Sequence, residues 1–288
     1  MLSILIVNWN TKDLLRACLQ SIYAHPPSQD YEVIVVDNAS KDESSSMVRA
    51  EFPQVKLVAS QVNTGYAKGN NLAFEQAKGD WLLTLNPDTE FVDNSLDLAV
   101  GYLNDHPDAG ALGVKQVGVD GLVQKSVRGF PTAIGIFGDI SGLGSKLGGR
   151  LDSYRLTRFD YTRDQNAPQP MGTFLLFRRQ SLQSIGSVTN PFDESFPIFF
   201  NEVDLLYRLH EKGWKCLYSP TAQIKHHGGE STKQVRSSMI WEGHRSLVRY
   251  LWKHHGTGLG VVGLPFLTLA IYFAAFIRAK GYHAGFRA

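Results

Sequence analysis

The sequence has few cysteines and no large excess of charge of either sign, and each shortage excludes a class of protein. Its two cysteines, Cys18 and Cys216, lie far apart and fit neither a CxxC metal site nor a disulfide framework. Its 29 basic and 27 acidic residues give a net charge of +2, too small for the field on which nucleic-acid binding depends. We therefore expect buried thiols in a reducing compartment and no nucleic-acid partner.

A secretory leader is also missing from the start of this sequence. The apolar run from Leu2 to Val7 is too short for a signal peptide and lacks both a basic leader and a small-residue cleavage site. We expect the bulk of the protein on the cytoplasmic side of the membrane. With 288 residues, of which 43% are hydrophobic, the chain can bury one large core.

The first part of the chain, residues 1–115, alternates short apolar runs with amphipathic segments. This pattern predicts a mostly parallel sheet built through helical crossovers, and hence an α/β nucleotide-binding half. Thr11 is expected to cap the first helix. The predicted strands are Leu2–Val7, Glu32–Val36, Lys56–Ala59 and Trp81–Leu85, and the predicted helices follow Thr11 and cover about 66–78 and 94–104.

The second part, residues 116–235, contains a glycine-rich stretch at 129–150 without a sustained period, which predicts a long mobile connection. A strand is predicted at Thr173–Phe177 and a helix at Glu202–Lys212. The third part, 236–288, is predicted to be helical.

The C-terminal segment from Gly256 to Ile277 has 22 residues without a charge. That length is enough to cross a bilayer, so membrane insertion or surface embedding is favoured over a buried core helix or hydrophobic hairpin. Within it, Gly258 to Gly263 matches the GxGxxG pattern, but no predicted strand precedes the match and no acid follows about 20 residues later. A dinucleotide-binding oxidoreductase is therefore not indicated, and without a GxxxxGK[ST] motif neither is a P-loop ATPase.

Two predicted strands end in acidic turns. Asp37 follows Glu32–Val36 and is placed to bind a nucleobase or ribose, although a lone aspartate there is more often a turn former. Asn86-Pro87-Asp88 follows Trp81–Leu85, and the proline fixes the direction of the Asp88 carboxylate. Such a carboxylate, together with substrate phosphates, suits Mg²⁺ or Mn²⁺; the alternative is an ordinary Pro-Asp turn.

Two further elements carry groups suited to catalysis. Glu202 and Asp204 stand at the start of a predicted helix, where capping is the alternative role for Asp204. An aromatic pair precedes Glu202, and apolar surroundings would raise its pKa towards that of a general base. His226 follows a predicted short strand and is a candidate metal ligand if Asp88 is nearby; a structural histidine is the alternative.

Six motifs together resemble those of family 2 glycosyltransferases, and their rhamnosyltransferase-like branch most closely. The resemblance covers about residues 2 to 250. The motifs are Ile6-Val7-Asn8-Trp9-Asn10, Val36-Asp37-Asn38-Ala39-Ser40, Asn63-Thr64-Gly65-Tyr66-Ala67-Lys68-Gly69-Asn70, Asn86-Pro87-Asp88, Asn201-Glu202-Val203-Asp204 and His226-His227-Gly228-Gly229-Glu230-Ser231.

The resemblance implies a GT-A fold and a role for each matched residue. Asp88 would be the surviving metal-binding acid of the DxD motif, whose first position is Asn86 here, and His226 would reach the metal or the diphosphate. Glu202 would be the base, in a motif where Asn201-Glu202 replaces the usual Glu-Asp pair, with Asp204 beside it. The nucleotide-sugar site would comprise Asn8, Asn10, Asp37, Asn63, Gly65, Lys68, Asn70, Asn86 and Gly172.

These features predict an inverting, metal-dependent glycosyltransferase at the cytoplasmic face of the cell membrane. By resemblance, the donor would be of the dTDP-rhamnose type and the acceptor a saccharide, either free or linked to a polyprenyl lipid. The alternative is an inactive sugar-nucleotide-binding or membrane-scaffold protein that keeps the fold. It is motivated by Asn86 and Asn201, which stand where acids are common.

Overall fold

The computed structural model describes residues 1–228, 236–258 and 260–280. Its strands in chain order are β1 Leu2–Asn8, β2 Tyr31–Asp37, β3 Lys56–Ala59, β4 Trp81–Leu85, β5 Thr89–Glu90, β6 Ala109–Val117, β7 Val127–Arg128, β8 Gln165–Asn166, β9 Gln169–Pro170, β10 Phe174–Arg178 and β11 Lys215–His226.

The α-helices described are α1 Lys12–Ala24, α2 Ser44–Glu51, α3 Tyr66–Phe74, α4 Ser95–Asn104, α5 Ala133–Ser141, α6 Leu143–Leu147, α7 Arg179–Ser184, α8 Asn201–Glu211, α9 Arg236–His255 and α10 Gly260–Ala279. The predicted strands and helices of residues 1–115 are thus confirmed to within a few residues. Thr11 precedes α1 as predicted, but its hydroxyl donates to Asn8 Oδ1 at 2.7 Å instead of capping the helix.

Nine of the described strands form one mixed sheet in the order β3-β2-β1-β4-β10-β6-β11-β5, with β8 paired to β11. Strands β3, β2, β1 and β4 are parallel, and β10 runs antiparallel between β4 and β6. Strands from both predicted halves therefore share one α/β sheet. Strands β7 and β9 form a separate antiparallel pair.

The central strands are mostly apolar on both faces because helices cover both faces of the sheet. Side chains alternate between the faces: Ile4 and Ile6 pack against α1 and α4, whereas Leu5 and Val7 pack against α3 and α8. A third apolar cluster unites α5, α8, α9 and α10. The molecule is thus a three-layer α/β structure with a helical addition on one side.

The predicted mobile connection at 129–150 is wrong. After a short irregular segment, this stretch forms α5, α6 and a 3₁₀ turn at Gly149–Asp152. Its glycines allow close packing: a Cβ at Gly129 or Gly138 would overlap the carbonyl oxygen of Ser153 or Leu151. Glycine there indicates close approach of backbone and not mobility.

Candidate active site

The carboxyl ends of β1 and β2 meet at one edge of the sheet and bring Asn8 and Asp37 together. Asn8 Nδ2 donates to Asp37 Oδ1 at 2.9 Å, and the Ser45 hydroxyl donates to Asp37 Oδ2 at 2.8 Å. Both side chains are buried. The Asp37 carboxylate therefore has a fixed orientation at the edge where open α/β sheets bind ligands.

A network of amides continues this edge towards α3. Asn38 donates to Asn63 Oδ1 and to the carbonyl of Gly65, both at 2.9 Å. Asn10 has a left-handed φ of 52° and accepts from the backbone N–H of Lys41 at 2.7 Å. Three predicted nucleotide-binding residues, Asn10, Asn63 and Gly65, thus lie on loops held together by side-chain amides.

The start of α3 is fixed by contact with the loop before α8. Gly65 has φ of 86°, and a Cβ there would lie 2.7 Å from the carbonyl oxygen of Pro197. That carbonyl accepts from the backbone N–H of Tyr66 at 2.6 Å. Glycine is therefore required at residue 65, for both its backbone angle and its packing.

Two other residues of α3 that were predicted to bind the nucleotide sugar, Lys68 and Asn70, differ in their exposure. The Lys68 ammonium group is half-exposed and 3.9 Å from Glu194 Oε2. Asn70 is buried, and its Nδ2 donates to the carbonyl of Tyr66 at 2.9 Å. Lys68 is thus accessible to a ligand, whereas Asn70 is part of the helix's own packing.

The turn after β4 places Asp88 beside His226. Strand β11 pairs antiparallel with β5, so that His226 lies opposite Thr89. His226 Nε2 is 3.5 Å from Asp88 Oδ2, and both side chains are buried. His226 is the last residue of a strand of 12 residues and not of a short one.

Gln124 orients the His226 ring. Its Nε2 donates to the His226 carbonyl at 3.1 Å, so its Oε1 is left to accept from His226 Nδ1 at 2.7 Å. With the proton on Nδ1, a neutral ring turns the lone pair of Nε2 towards the Asp88 carboxylate. Two acceptors that face each other in this way suit a cation between them.

Among the residues that the structure describes, no group of three or more His, Cys, Asp or Glu side chains is arranged to hold a metal ion. Asp88 and His226 supply two ligands, which fits a cation that is shared with substrate phosphates. The rest of the predicted histidine motif, Gly229 to Ser231, lies outside the described residues.

Glu202 and Asp88 both lie near Tyr66. The Tyr66 hydroxyl is 3.1 Å from Asn86 Oδ1 and 3.3 Å from the carbonyl oxygen of Gly172. A Cβ at Gly172 would lie 3.5 Å from Cγ of Glu202. Burial raises the pKa of Tyr66, and the negative charges of Glu202 and Asp88 raise it further. The predicted base, Glu202, and the predicted metal ligand, Asp88, therefore both lie near the same tyrosine.

The environment of Glu202 suits proton transfer. Burial raises the pKa of Glu202 to about 7, although the backbone N–H groups of Glu202 and Val203 partly offset this effect. Phe200, with a left-handed φ of 66°, precedes the first residue of helix α8 and stands two positions before this acid. A carboxyl group with a pKa near neutrality is suited to act as a general base.

Asp204 has a different environment from Glu202, although both stand in the first turn of α8. It is fully buried, and its carboxylate contacts Arg208 at 2.8 Å, Lys253 at 2.6 Å and His254 at 2.8 Å. Burial alone would raise the pKa of Asp204, but the hydrogen bond from His254 and the charges of Arg208 and Lys253 lower it to about 2. These contacts join α8 to α9.

Sequence reasoning did not assign roles to Tyr66, Gln124, Asn38 or Tyr154. Tyr66 and Asn38 belong to two of the six motifs, but the sequence does not indicate which residues they contact. Gln124 and Tyr154 lie outside every motif. Tyr154 is buried near Glu202. Burial raises the pKa of Tyr154 to about 12, and the negative charges of Asp139 and Glu202 contribute to the rise.

Comparison with known proteins identifies the family. The model of glycosyl transferase family 2 matches residues 3–186. The chain belongs to this family. This glycosyltransferase is 28% identical over 240 residues to the N-acetylglucosaminyl-diphospho-decaprenol L-rhamnosyltransferase of Mycobacterium tuberculosis, with 77% of this chain and 75% of the relative covered. The predicted likeness to the rhamnosyltransferase branch is confirmed.

Solved structures confirm that the glycosyltransferase has the predicted GT-A fold. The mannosyltransferase PcManGT from Pyrobaculum calidifontis, solved with GDP-Man and Mn²⁺, superposes with a TM-score of 0.61 at 17% identity and covers 98% of this chain and 76% of its own. Staphylococcus aureus TarS residues 1–349 superposes with a TM-score of 0.55 at 16% identity and covers 97% and 81%. At such identities the likeness concerns the fold alone.

Proposed function

We propose that this glycosyltransferase transfers a sugar with inversion from a nucleoside-diphosphate donor to a saccharide acceptor, and that Glu202 is its base. The observation that carries the proposal is that Glu202 and Asp88 both lie near Tyr66. His226 is in turn 3.5 Å from Asp88. A base and a leaving-group site must lie on opposite sides of the reacting sugar for in-line displacement.

In this mechanism the edge formed by Asn8, Asn10, Asp37 and Asn63 binds the nucleoside, and Lys68 neutralises charge near the diphosphate. Glu202 removes the proton of an acceptor hydroxyl, whose oxygen attacks the anomeric carbon as the bond to the diphosphate breaks. Asp88 and His226 would hold a divalent cation, Mg²⁺ or Mn²⁺, which when bound would stabilise the charge that grows on the departing phosphate.

Asp204 is not needed for the proton transfer. Three cationic or hydrogen-bonding partners surround its carboxylate, and a pKa of about 2 makes it a poor proton acceptor at neutral pH. We assign the base to Glu202 alone and give Asp204 a structural role.

The donor proposed is dTDP-rhamnose, and the acceptor a lipid-linked saccharide in cell-surface polysaccharide synthesis. The similarity to a rhamnosyltransferase whose named acceptor carries a diphospho-decaprenol supports both choices. We further propose that the enzyme works at the cytoplasmic face of the membrane, where α10 is long and apolar enough to interact with lipid.

A donor panel tests the proposal. Purified protein is incubated with dTDP-rhamnose, UDP-, GDP- and other nucleoside-diphosphate sugars, with and without Mn²⁺ and a polyprenyl-diphosphate saccharide, and release of the nucleoside diphosphate is measured. Release with one donor, with an acceptor product of inverted anomeric configuration, is the expected result. Binding of a donor without release from any member of the panel would favour the inactive sugar-nucleotide-binding alternative.

A further inference from the structure

Helix α10 exposes a continuous apolar stripe. Phe266 is 74% exposed, Leu269 is 70% exposed and Phe273 is 65% exposed, and Val262 and Phe276 extend the stripe in both directions. The spacing of four and three residues places all five on one side of the helix. Exposed apolar surface of this size and regularity is typical of a docking surface.

The opposite side of α10 is packed on the protein along most of its length. Leu264, Ile271 and Ala275 are buried, and the first two belong to the cluster with Leu247 and Leu251 of α9. The contacts from Leu264 to Ala275 span roughly 16 Å of helix, about half of the hydrocarbon thickness. Helix α9 also carries charged residues, so this packed length cannot enter hydrocarbon.

A second exposed apolar patch lies on α5 and α6. Ile134, Phe137 and Leu147 are 50%, 56% and 69% exposed. Ile136 of α5 packs in the same cluster as Leu264 of α10. Helices α5 and α10 therefore rest on one cluster and turn their other sides outward.

Basic residues outnumber acidic ones in the sequence segments that carry these two patches, and Glu242 and Asp152 are acids directly beside these segments. From residue 243 to the end the sequence has six arginine and lysine residues and no acid. Between 129 and 151 the one acid is Asp139, which is buried in an ion pair with Arg155, whereas Lys146 and Arg150 are exposed. Apolar side chains beside exposed cations complement the surface of an anionic bilayer.

We propose that α5, α6 and α10 form one docking face on which the protein lies against an anionic lipid bilayer without crossing it. The inference rests on the membrane association proposed above and specifies its geometry. It also places the active site: Tyr154 of the same cluster neighbours Glu202, and Lys253 and His254 of α9 hold Asp204 of the helix that carries Glu202. A lipid-linked acceptor would thus reach the base from the bilayer side.

Vesicle co-sedimentation tests the face without reference to activity. The full chain is mixed with vesicles of phosphatidylcholine alone or with added phosphatidylglycerol. The double variants Phe266→Ser/Phe273→Ser and Phe137→Ser/Leu147→Ser each remove two apolar side chains from one patch. The control is Val119→Ser/Leu122→Ser, which removes two apolar side chains, 65% and 68% exposed, from the loop after β6. Binding should require phosphatidylglycerol, and each of the first two variants should lower the partition coefficient by about 10-fold or more, whereas the control should not.

Two results would overturn the proposal. Unchanged vesicle binding in either double variant would remove that patch from the face. If light scattering instead shows a dimer that Phe266→Ser/Phe273→Ser converts to a monomer, and vesicle binding is absent, then a second copy of the chain covers α10. Neither result depends on whether any donor is turned over, so a failure of the proposed transfer reaction would be seen separately in the donor panel.

Labelling with a membrane-impermeant maleimide distinguishes a helix that lies flat from one that spans. Thr257→Cys and Lys280→Cys flank α10, and the parent chain is the blank because burial raises the pKa of its Cys18 and Cys216 thiols. On vesicles with protein added from outside, both new cysteines should react. If only the Lys280→Cys variant were protected from the maleimide, and detergent removed that protection, α10 would cross the bilayer.

Discussion

Glu202 combines burial, which raises its pKa to about 7, with a position beside Tyr66 and Gly172 at the sheet edge. A base must be ionised to accept a proton, so turnover should fall as the pH drops below about 7. Glu202→Gln should lower kcat by roughly 100-fold or more and abolish this pH dependence, with donor affinity nearly unchanged. Initial rates across pH and donor titrations would measure both.

Glu211→Gln is a matched control for Glu202→Gln because it changes an acid in the last turn of the same helix. It should keep the wild-type rate and pH profile. If Glu202→Gln turns over at a near-normal rate, another group is the base.

The raised pKa of Glu202 also predicts how the free energy of unfolding changes with pH. The pKa of Glu202 rises from 4.5 to about 7 on folding, so the native state holds this proton more tightly than the unfolded chain. The associated stability is present below pH 4.5 and is lost as the pH rises through about 7. Relative to wild type, Glu202→Gln should therefore become more stable with rising pH, by up to ~3 kcal/mol. Urea denaturation at about pH 5 and pH 8 would measure the change, and a pH-independent difference would contradict it.

Asp88 and His226 should govern the response to metal. Removal of Asp88 leaves His226 as the one predicted protein ligand, so Asp88→Ala should abolish the activation by Mn²⁺ or Mg²⁺, and His226→Ala should weaken it by about 10- to 100-fold. Activity against metal concentration after chelator treatment would measure this. Asp120→Asn, in the turn after β6, is the control. An Asp88→Ala enzyme as active in chelator as the wild type in Mn²⁺ would refute the site.

At the scale of elements, Asp204 joins α8 to α9 through Arg208, Lys253 and His254. Asp204→Asn leaves these groups without their anion and should lower the free energy of unfolding by about 3 kcal/mol. The pKa of Asp204 falls from 3.8 to about 2 on folding, so its contribution is present above pH 3.8 and is lost as the pH falls through about 2. The difference from wild type, measured by chemical denaturation, should therefore shrink below about pH 4.

Asp193→Asn is the comparison for Asp204→Asn. Asp193 also binds Lys253, at 2.7 Å, but its side chain is 31% exposed, so its loss should cost about 1 kcal/mol or less. Equal losses in the two variants would show that Asp204 contributes only a surface ion pair.

Elements with a clear period were predictable, and elements fixed by distant contacts were not. Strands β3 and β4 match their predicted bounds because short apolar runs between polar turns indicate strands, which are buried in β4 and partly exposed at the sheet edge in β3. The placement of β10 depends on pairing with β4 across about 90 residues and with β6 across about 65 residues, which no local pattern reports. The helices of 133–147 were missed because glycine was interpreted as a breaker, although here it serves close backbone packing.

The residues of the candidate site likewise divide into those with a local sequence signal and those placed by distant contacts. Asp37, Asp88 and Glu202 were visible because each follows or begins an element at a recognisable turn. The hydrogen bonds of Tyr66 to the turn at Asn86 and to Gly172 join segments 20 and 106 residues away in sequence. Gln124, which orients His226 from 102 residues away, carries no local signal of any kind.

At the scale of the whole molecule, the sheet edge that we propose as the donor site and the helical addition that we propose as the docking face are connected through α8. Its first turn carries both Glu202, beside Tyr66, and Asp204, bound to α9. The proposed donor site and the proposed docking face therefore contact different residues of α8. A change on the outer side of α10 should leave the donor site intact while it alters access to an acceptor in the bilayer.

This separation gives a prediction for transfer to two acceptors that differ in their lipid. Phe266→Ser/Phe273→Ser should lower the rate with a polyprenyl-linked saccharide in anionic vesicles by about 10-fold, because less enzyme is bound to the surface. With a short-chain, water-soluble analogue of the same saccharide, the rate should equal that of the wild type. Glu202→Gln should instead lose both activities equally, since the base acts on either acceptor. If the α10 variant lost activity towards both acceptors to the same degree, α10 would support the active site itself and not its contact with the membrane.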